Sequence, residues 1–401
     1  MGAQTLCAPG NSRPRPRHEV ADIFRAHGEA YRKAHVLSAD QRKVMWAIEN
    51  CRTSVLGGHE QVCADCGLVS EAYNSCRNRH CPKCQALDQA RWLEKRKRRI
   101  LPTHYFHVVF TLPSELHGLA RRNPRRIYNL LFQAASRTLL QLGRDPKRLG
   151  ALLGFTAVLH TWTHRDLRYH PHLHCIVSGG GLDPDARRWT ASSRKFLFPV
   201  PVLSRLFRGK FLHGLARLHA QGKILLGDKP AQPDAFDQLR RTLFNKSWVV
   251  YVKPPFSGPQ KVFGYLGRYT HRVAISNHRI RKVTDESVTL AARDGSTATL
   301  DVRVFIARFL QHVLPKGFMK IRHYGLLAST HVHTLLPIAM ALLGGPLPPE
   351  GPEISFAENW QDLMLALTGR NLRVCPSCGS TRLFRIAVPA RLPRAPPGGP
   401  P

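Results

Sequence analysis

Between Cys51 and Cys84 the chain concentrates six of its ten cysteines in thirty-four residues, at Cys51, Cys63, Cys66, Cys76, Cys81 and Cys84. In a reducing compartment such CxxC-type spacings are those of metal ligands rather than of disulfides. With His59 and His80 the ligands fall into four successive pairs: Cys51 with His59, Cys63 with Cys66, Cys76 with His80, Cys81 with Cys84. Zinc takes four thiolate or imidazole ligands in a tetrahedron, and a CxxC knuckle supplies two from one turn of backbone. The stretch is therefore expected to fold around one or two structural Zn²⁺ ions, the first held by Cys63, Cys66, Cys81 and Cys84, the second by Cys51, His59, Cys76 and His80, in a cross-braced module. The competing readings are ordinary buried thiols at Cys51 and Cys76 and a turn residue at His59. Closed sites leave no open position for a substrate, so the module is structural and presents Arg77, Arg79, Lys83 and the helix from Arg91 to a partner. Cys375 and Cys378 supply half a site with no partner ligands near them in sequence, and read as a plain turn.

The partner is suggested by charge. Lysine and arginine number 60 against 26 aspartate and glutamate, leaving a net charge of +34 over 401 residues. That excludes most ordinary metabolic enzymes and points to a polyanion, nucleic acid first and an anionic membrane surface second. At 43% hydrophobic and 21% charged residues the chain is globular, with two or three domains of the usual ~100–200 residues each. The start has no apolar signal segment, Leu6 spoils a myristoylation match, and the longest apolar run, 335–343, is interrupted by Pro337 and falls short of the ~20 residues of a membrane span. A soluble intracellular protein with no membrane partner is expected.

The organisation along the chain predicts an α+β protein. Residues 1–15 read as a disordered leader and 16–100 as a zinc-binding module ending in a basic helix with Arg91, Lys95, Arg96, Lys97, Arg98 and Arg99. That helix is either a solvated face or a phosphate-contacting one. Residues 101–340 form a mixed domain: a strand at YFHVVFTL, a helix over 125–142, strands at GFTAVLHTWTH and PHLHCIVSGG, helices over 201–219 and 234–244, and a strand at SWVVYVK. A helix then passes into irregular structure at VFGYLGRYTHRVAI, a hairpin turns at Arg293-Asp294-Gly295, and a helix covers 302–314. Residues 341–385 read as a linker, a helix and the CxxC knuckle, and 386–401 as a disordered tail.

Two motifs carry chemistry. In Tyr169-His-Pro-His172-Leu-His174, strand alternation puts His172 and His174 on one face, where two imidazoles can grip one divalent ion. The preceding strand offers His160, Trp162 and His164 on one face, and either histidine could complete a three-ligand site with open coordination, as a Lewis acid for phosphoryl chemistry requires. Tyr265 and Tyr269, at i and i+4, share a helix face and are candidate nucleophiles on a phosphodiester; the alternative is a pair of core aromatics. Arg268, Arg272, Arg279, Arg281, Lys282, Lys316, Lys320 and Arg322 would follow the phosphates, with Trp162 or Tyr169 available for base stacking. Gly179 to Gly181 allow either a close backbone approach or a bulge. Metal binding needs neutral imidazoles, so activity is expected to fall below the ~6.5 of free histidine.

The HxH strand, the YxxxY segment continuing as THRVAISN, the amino-terminal Cys/His cluster and the later RFLQHVLPKGFMKIRHYGLL occur in the order in which they resemble the two-tyrosine transposases of the insertion sequence 91 family, over roughly residues 18–345. The resemblance implies an HUH-endonuclease-like domain with a central antiparallel sheet flanked by helices, and rolling-circle-type transposition on single-stranded element ends and target. It implies Mg²⁺ or Mn²⁺ on His172 and His174, and Tyr265 and Tyr269 as nucleophiles giving a 5′-phosphotyrosine and a free 3′-OH. The family's third ligand falls on His164, where related transposases more often carry Gln, with His160 as the runner-up. A cytoplasmic, nucleoid-associated bacterial protein is the implied setting. A plasmid replication initiator or relaxase shares this chemistry, and a non-catalytic zinc-dependent DNA-binding regulator is the rival from another class.

Overall fold

The computed structural model describes residues 16–227, 234–256, 267, 273–345, 361–362, 364–365 and 369–391. In chain order the elements are α1 (Val20–Ala34), α2 (Ala39–Glu49), β1 (Gly58–Cys63), β2 (Val69–Tyr73), α3 (Ala86–Lys97), β3 (Tyr105–Thr111), α4 (His117–Arg122), α5 (Pro124–Arg144), β4 (Leu152–Trp162) and β5 (Tyr169–Leu182). They continue as β6 (Trp189–Ala191), α6 (Val200–Ala220), α7 (Ala235–Asn245), β7 (Val250–Phe256), β8 (Ile280–Val283), β9 (Ser287–Ala291), β10 (Thr297–Asp301), α8 (Val302–Leu310), β11 (Ile321–Gly325), α9 (Leu335–Leu342) and β12 (Leu383–Val388). The chain divides into two compact units, one from Met1–Arg91, His271–Leu310 and Gly351–Pro401, the other from Trp92–Thr270 and Gln311–Glu350. The units are thus interleaved in sequence, whereas composition and linkers suggested contiguous segments with a boundary near residue 100.

The second unit is built on an antiparallel sheet in the order β11-β4-β5-β3-β7, with β6 pairing beside β5. Alternation sorts its side chains between two faces. Phe106, Val108 and Phe110 of β3, Phe155, Ala157 and Leu159 of β4, and Leu173, Cys175 and Val177 of β5 face a helical layer that includes Ile127, Leu131, Phe132 and Leu139 of α5 and Phe207 and Phe211 of α6. Each fully buried phenylalanine here contributes on the order of 2–3 kcal/mol. Helix α5 forms because Pro124 opens its first turn without losing a needed hydrogen bond and its apolar residues recur at helical spacing. On the opposite face Tyr105 and Ile176 pack with Leu326, Leu336 and Met340 under α9, while the other end of that face carries histidines.

At Gly179 to Gly181 the structure shows both a bulge and a close approach of neighbouring backbone. Pairing of β4 with β5 shifts between Leu153 and Phe155, Gly180 sits at φ +150°, and a Cβ there would come within 2.6 Å of the Thr190 carbonyl oxygen. The glycines let the strand bend so that Gly180–Leu182 can also pair with β6.

In the first unit, α1 packs against α8 through an edge-on contact of Phe24 with Phe309, ring centroids 5.3 Å apart. Arg32 bridges α1 to Glu49 of α2 at 2.6 Å. Helix α2 begins in a reciprocal cap between Ser38 and Gln41, and Gln41 Nε2 also donates to the Leu310 carbonyl. The β8-β9-β10 meander turns at Arg293-Asp294-Gly295 as the sequence predicts, with Gly295 at φ +84°. A second sheet, β12-β1-β2, contains the carboxy-terminal strand, paired from Gly58 with Val388 to Cys63 with Leu383. Residues 386–388, expected to open a disordered tail, belong instead to this strand. Leu383, Phe384, Ile386 and Val388 give it enough β-forming character despite proline-rich surroundings. Helix α8 stops at Leu310, four residues before the expected end, and the strand β11 that follows was not read from the sequence.

Candidate metal centres and the basic surface

The histidine-bearing face of the central sheet brings His160, His172 and His174 together, one ring nitrogen of each lying within 4.8 Å of the others. The register explains why: His160 of β4 stands directly opposite His172 of β5, and opposed residues of an antiparallel pair share a face. His164, the ligand implied by the family resemblance, lies instead in the turn between the strands. The Trp162–Tyr169 pairing and the Thr163 N–H to Arg168 carbonyl bond of 2.9 Å have ended the ladder before it. His160 is 3% exposed, stacked on Trp162 at a centroid distance of 4.5 Å.

Hydrogen bonds set which nitrogens are offered. His172 Nδ1–H donates to the His170 carbonyl at 2.6 Å, leaving Nε2 as its lone-pair donor. His174 Nδ1 is 2.7 Å from His107 Nε2, and its Nε2 faces that of His172 at 3.0 Å. Two convergent Nε2 atoms with both Nδ1 atoms engaged fit a divalent cation. Burial pushes the His172 imidazole down to about 4, and burial, helped by Lys253 and His172, does the same for His107. The neutral, ligating form of His172 thus persists well below the ~6.5 expected for free histidine. His107, Lys253 and Tyr251 were missed in the sequence. Each lies on this face, because His107 opposes Lys253 and Ile176, and Val109 opposes both Tyr251 and His174. The only signal was one histidine inside the otherwise apolar run Tyr-Phe-His-Val-Val-Phe. Tyr251 is 52% exposed and Lys253 is exposed, so an aromatic ring and a cation stand on the histidine face. Tyr169 is buried, its hydroxyl 2.6 Å from that of Tyr128, which removes it as a stacking platform. Tyr265 and Tyr269 lie outside the described residues, as do Arg268 and Arg272.

The cysteines regroup. One tetrad is Cys51, Cys76, Cys81 and Cys84; the other is Cys63, Cys66, Cys375 and Cys378. The expected pairing of Cys63 and Cys66 with Cys81 and Cys84 does not form, because β1 and β2 make a hairpin with Cys63 and Cys66 at its tip and Cys51 and Cys76 at its base. Five or six extended residues separate tip from base by roughly 17–20 Å. Cys81 and Cys84 return to the base, where the Cys76 N–H points to Cys51 Sγ at 3.5 Å and Cys76 and Cys84 Sγ are 3.7 Å apart. His59 sits on β1 opposite Ala72 and Ala387, and buried His80 is bonded to Asn78 Oδ1 at 3.0 Å; neither joins a tetrad.

Among the cations, Arg77 and Lys95 are exposed, whereas Lys83 is paired with Glu19 at 2.7 Å. Arg91, Arg98 and Arg99 are half-buried, and Lys97 is on α3. Arg96 lies over the Trp92 ring, and burial together with Arg96 and Arg99 depresses His323 to about 3. His323 of β11 opposes Thr156 of β4, so these arginines stand by the histidine-bearing face of the sheet. Arg281 and Lys282 are exposed, but Arg279 turns inward, its Nε donating to the Ala291 carbonyl at 2.8 Å. Lys320 is buried, and Arg322 stacks on Phe132 and Phe318.

Residues 154–334 match a family model described as putative transposase, and residues 23–112 match one described as transposase zinc-binding domain, which sets the class: zinc-binding transposases. The chain is 47% identical over 380 residues to the putative transposase y4qJ of Sinorhizobium fredii, covering 92% of this chain and 95% of that one. It is 26% identical over 359 residues to the transposase for insertion sequence element IS801 of Pseudomonas savastanoi pv. phaseolicola, covering 84% and 82%. The chain belongs to the insertion sequence 91 family of transposases. It is thus an enzyme of DNA cleavage, with DNA as its partner and zinc in its amino-terminal domain. No solved structure matches it. Among the described residues no helix is long and apolar enough to cross a membrane.

Proposed function

We propose that this transposase cuts and rejoins single-stranded DNA through a tyrosine nucleophile, Tyr265 or Tyr269, assisted by a divalent-metal centre of His160, His172 and His174, in rolling-circle-type transposition. The observation that carries the reading is the convergence of the three histidines at one end of a sheet face, with two Nε2 atoms offered to the same point. Mg²⁺ or Mn²⁺ bound there supplies Lewis-acid polarisation of a phosphoryl oxygen. His172 remains neutral at physiological pH, because burial disfavours its charged form and its Nδ1–H is committed to the His170 carbonyl. The tyrosine hydroxyl attacks phosphorus and loses its proton. The new Oη–P bond forms as the P–O3′ bond breaks, and the leaving oxygen takes up a proton as a free 3′-OH. A second tyrosine four residues away permits a second cleavage before the first end is released. Lys253, Arg96 and Arg99 supply positive charge by the same face, and Tyr251 offers an exposed ring for an unpaired base.

The test is incubation of the full chain with a labelled single-stranded oligonucleotide library and Mn²⁺, followed by denaturing electrophoresis. A covalent adduct is expected from the wild type and lost from the Tyr265→Phe/Tyr269→Phe double variant and from His172→Ala. An adduct that survives in the double variant excludes the tyrosine mechanism. DNA binding with no adduct from the wild type leaves a non-catalytic binding protein.

A further inference from the structure

The family's zinc-binding region, residues 23–112, contains all of the first cysteine tetrad but only half of the second. The other half arrives more than three hundred residues later. Cys63-Ala-Asp-Cys66-Gly67 and Cys375-Pro-Ser-Cys378-Gly379 are built alike. In each, the glycine is left-handed, at φ +67° and +75°. In each, the glycine N–H donates to the carbonyl of the first cysteine, at 3.0 and 2.9 Å. In each, the first cysteine's N–H donates five residues ahead, to Leu68 at 3.0 Å and to Ser380 at 2.8 Å. These turns aim backbone N–H groups at sulfur, those of Asp65 and Cys66 at Cys63 and those of Ser377 and Cys378 at Cys375. The two knuckles face each other, Cys63 Sγ to Cys378 Sγ at 3.6 Å and Cys66 Sγ to Cys375 Sγ at 3.6 Å.

Those separations discriminate between chemistries. A disulfide brings two sulfurs to ~2.0 Å, whereas four sulfurs at ~2.3 Å from one zinc ion lie about 3.8 Å apart along the edges of their tetrahedron. The spacing is that of a tetrahedron, and it matches the 3.7 Å between Cys76 and Cys84 in the other tetrad. The surrounding backbone brings the carboxy-terminal knuckle there independently of the sulfurs. Strand β12 pairs with the whole of β1, the Ala64 N–H donates to the Arg382 carbonyl at 2.9 Å, and Arg382 bridges to Asp65 at 3.2 Å.

We infer that Cys63, Cys66, Cys375 and Cys378 form a second structural zinc site, one that clasps the end of the chain to the amino-terminal module. The site rests on the module being zinc-binding and adds to it that the module is completed only when residues 375–388 have been made. A chain ending before Cys375 keeps the first zinc and lacks both the second ion and the edge strand of the β12-β1-β2 sheet.

The full chain, purified without chelator and dialysed, is assayed for metal by mass spectrometry. Two zinc ions per chain are expected, falling to one in Cys375→Ser/Cys378→Ser and to one in Cys81→Ser/Cys84→Ser. One zinc in the wild type that is unchanged in the Cys375/Cys378 variant overturns the clasp and leaves the first site standing. No zinc in the wild type instead overturns the zinc-binding reading itself. Thiol alkylation of the wild type, mapped by peptide, needs no variant to fold. Cys375 and Cys378 should be protected before EDTA treatment and modified after it, and equal modification in both conditions overturns the clasp.

Discussion

A histidine ligand offers one nitrogen to its ion and the other to its surroundings, and in β5 the surroundings differ for the two candidate ligands. His172 is oriented by a backbone carbonyl two residues away, His174 by the side chain of His107 on the neighbouring strand. Removing such an outer partner typically costs about 10–100-fold in metal affinity. His107→Ala should therefore raise the Mn²⁺ concentration needed for half-maximal adduct formation by that order, and His107→Gln should recover part of the loss. A variant with unchanged Mn²⁺ dependence would assign His107 to packing alone. At the third position, His160→Ala should abolish metal-dependent adduct and His164→Ala leave it close to wild type, measured on the same gels. The pair His172/His174 was legible because a spacing of two on a strand fixes a common face. The choice between His160 and His164 as their companion stayed open, because the register between two strands and the end of their ladder at Trp162 are not written in either strand alone. A buried histidine elsewhere shows the linked effect on stability. His312 is fully buried, donates from Nε2 to the Leu167 carbonyl at 3.0 Å and receives the Thr161 hydroxyl at Nδ1. Burial lowers it to about 4 in the folded state, against ~6.5 unfolded. The unfolded chain then takes up the proton first, so stability declines as pH falls from about 6.5 to about 4, by up to roughly 3 kcal/mol for this one group. Urea midpoints at pH 7 and pH 5 should differ less in His312→Asn than in the wild type.

Strands and helices that bury a continuous apolar pattern, such as β3, β4, β5, α5 and α6, were legible from periodicity. Those that lie at an edge or on a metal knuckle were not. Strand β11 is a case: Ile-Arg-His-Tyr-Gly carries one side chain, Tyr324, that packs into the core beside Phe155, and its polar residues resemble a loop. Strands β1, β2 and β12 likewise have mostly exposed or half-exposed side chains, so pairing and the cysteines rather than a hydrophobic face define them. Where an element depends on backbone fit, single residues become decisive. Gly325 ends β11 at φ +60°, paired with Gly154, and a Cβ there would collide with the Leu153 carbonyl oxygen. Gly325→Ala should cost on the order of 3 kcal/mol or more, since both the left-handed conformation and the contact with rigid backbone oppose it. Thermal unfolding reads the effect, and a change of less than about 1 kcal/mol would show that β11 can shift along β4.

The charge of +34 is distributed unequally between structural and surface roles, and the distinction has a measurable consequence for the whole molecule. Arginines such as Arg279 and Arg322 are spent inside the units, one bonded to a strand carbonyl and the other laid over two phenylalanine rings, and counting cations in the sequence assigned both to the phosphates. Arg96 and Arg99 differ, because they stand by the face that carries the histidines, where a strand held for cleavage would pass. Each phosphate neutralised on a single strand releases condensed counterions and adds about −0.7 to the slope of log affinity against log salt concentration. Replacing Arg96 and Arg99 together by alanine should accordingly reduce the magnitude of that slope by about 1.4 for a single-stranded oligonucleotide, with the loss of affinity greatest at low salt. Arg279→Ala should leave the slope unchanged and instead lower the unfolding midpoint, because its guanidinium serves β9 rather than DNA. Fluorescence anisotropy over ~50–300 mM salt separates the two, and a slope that follows Arg279 but not Arg96 and Arg99 would move the DNA path to the other unit of the chain.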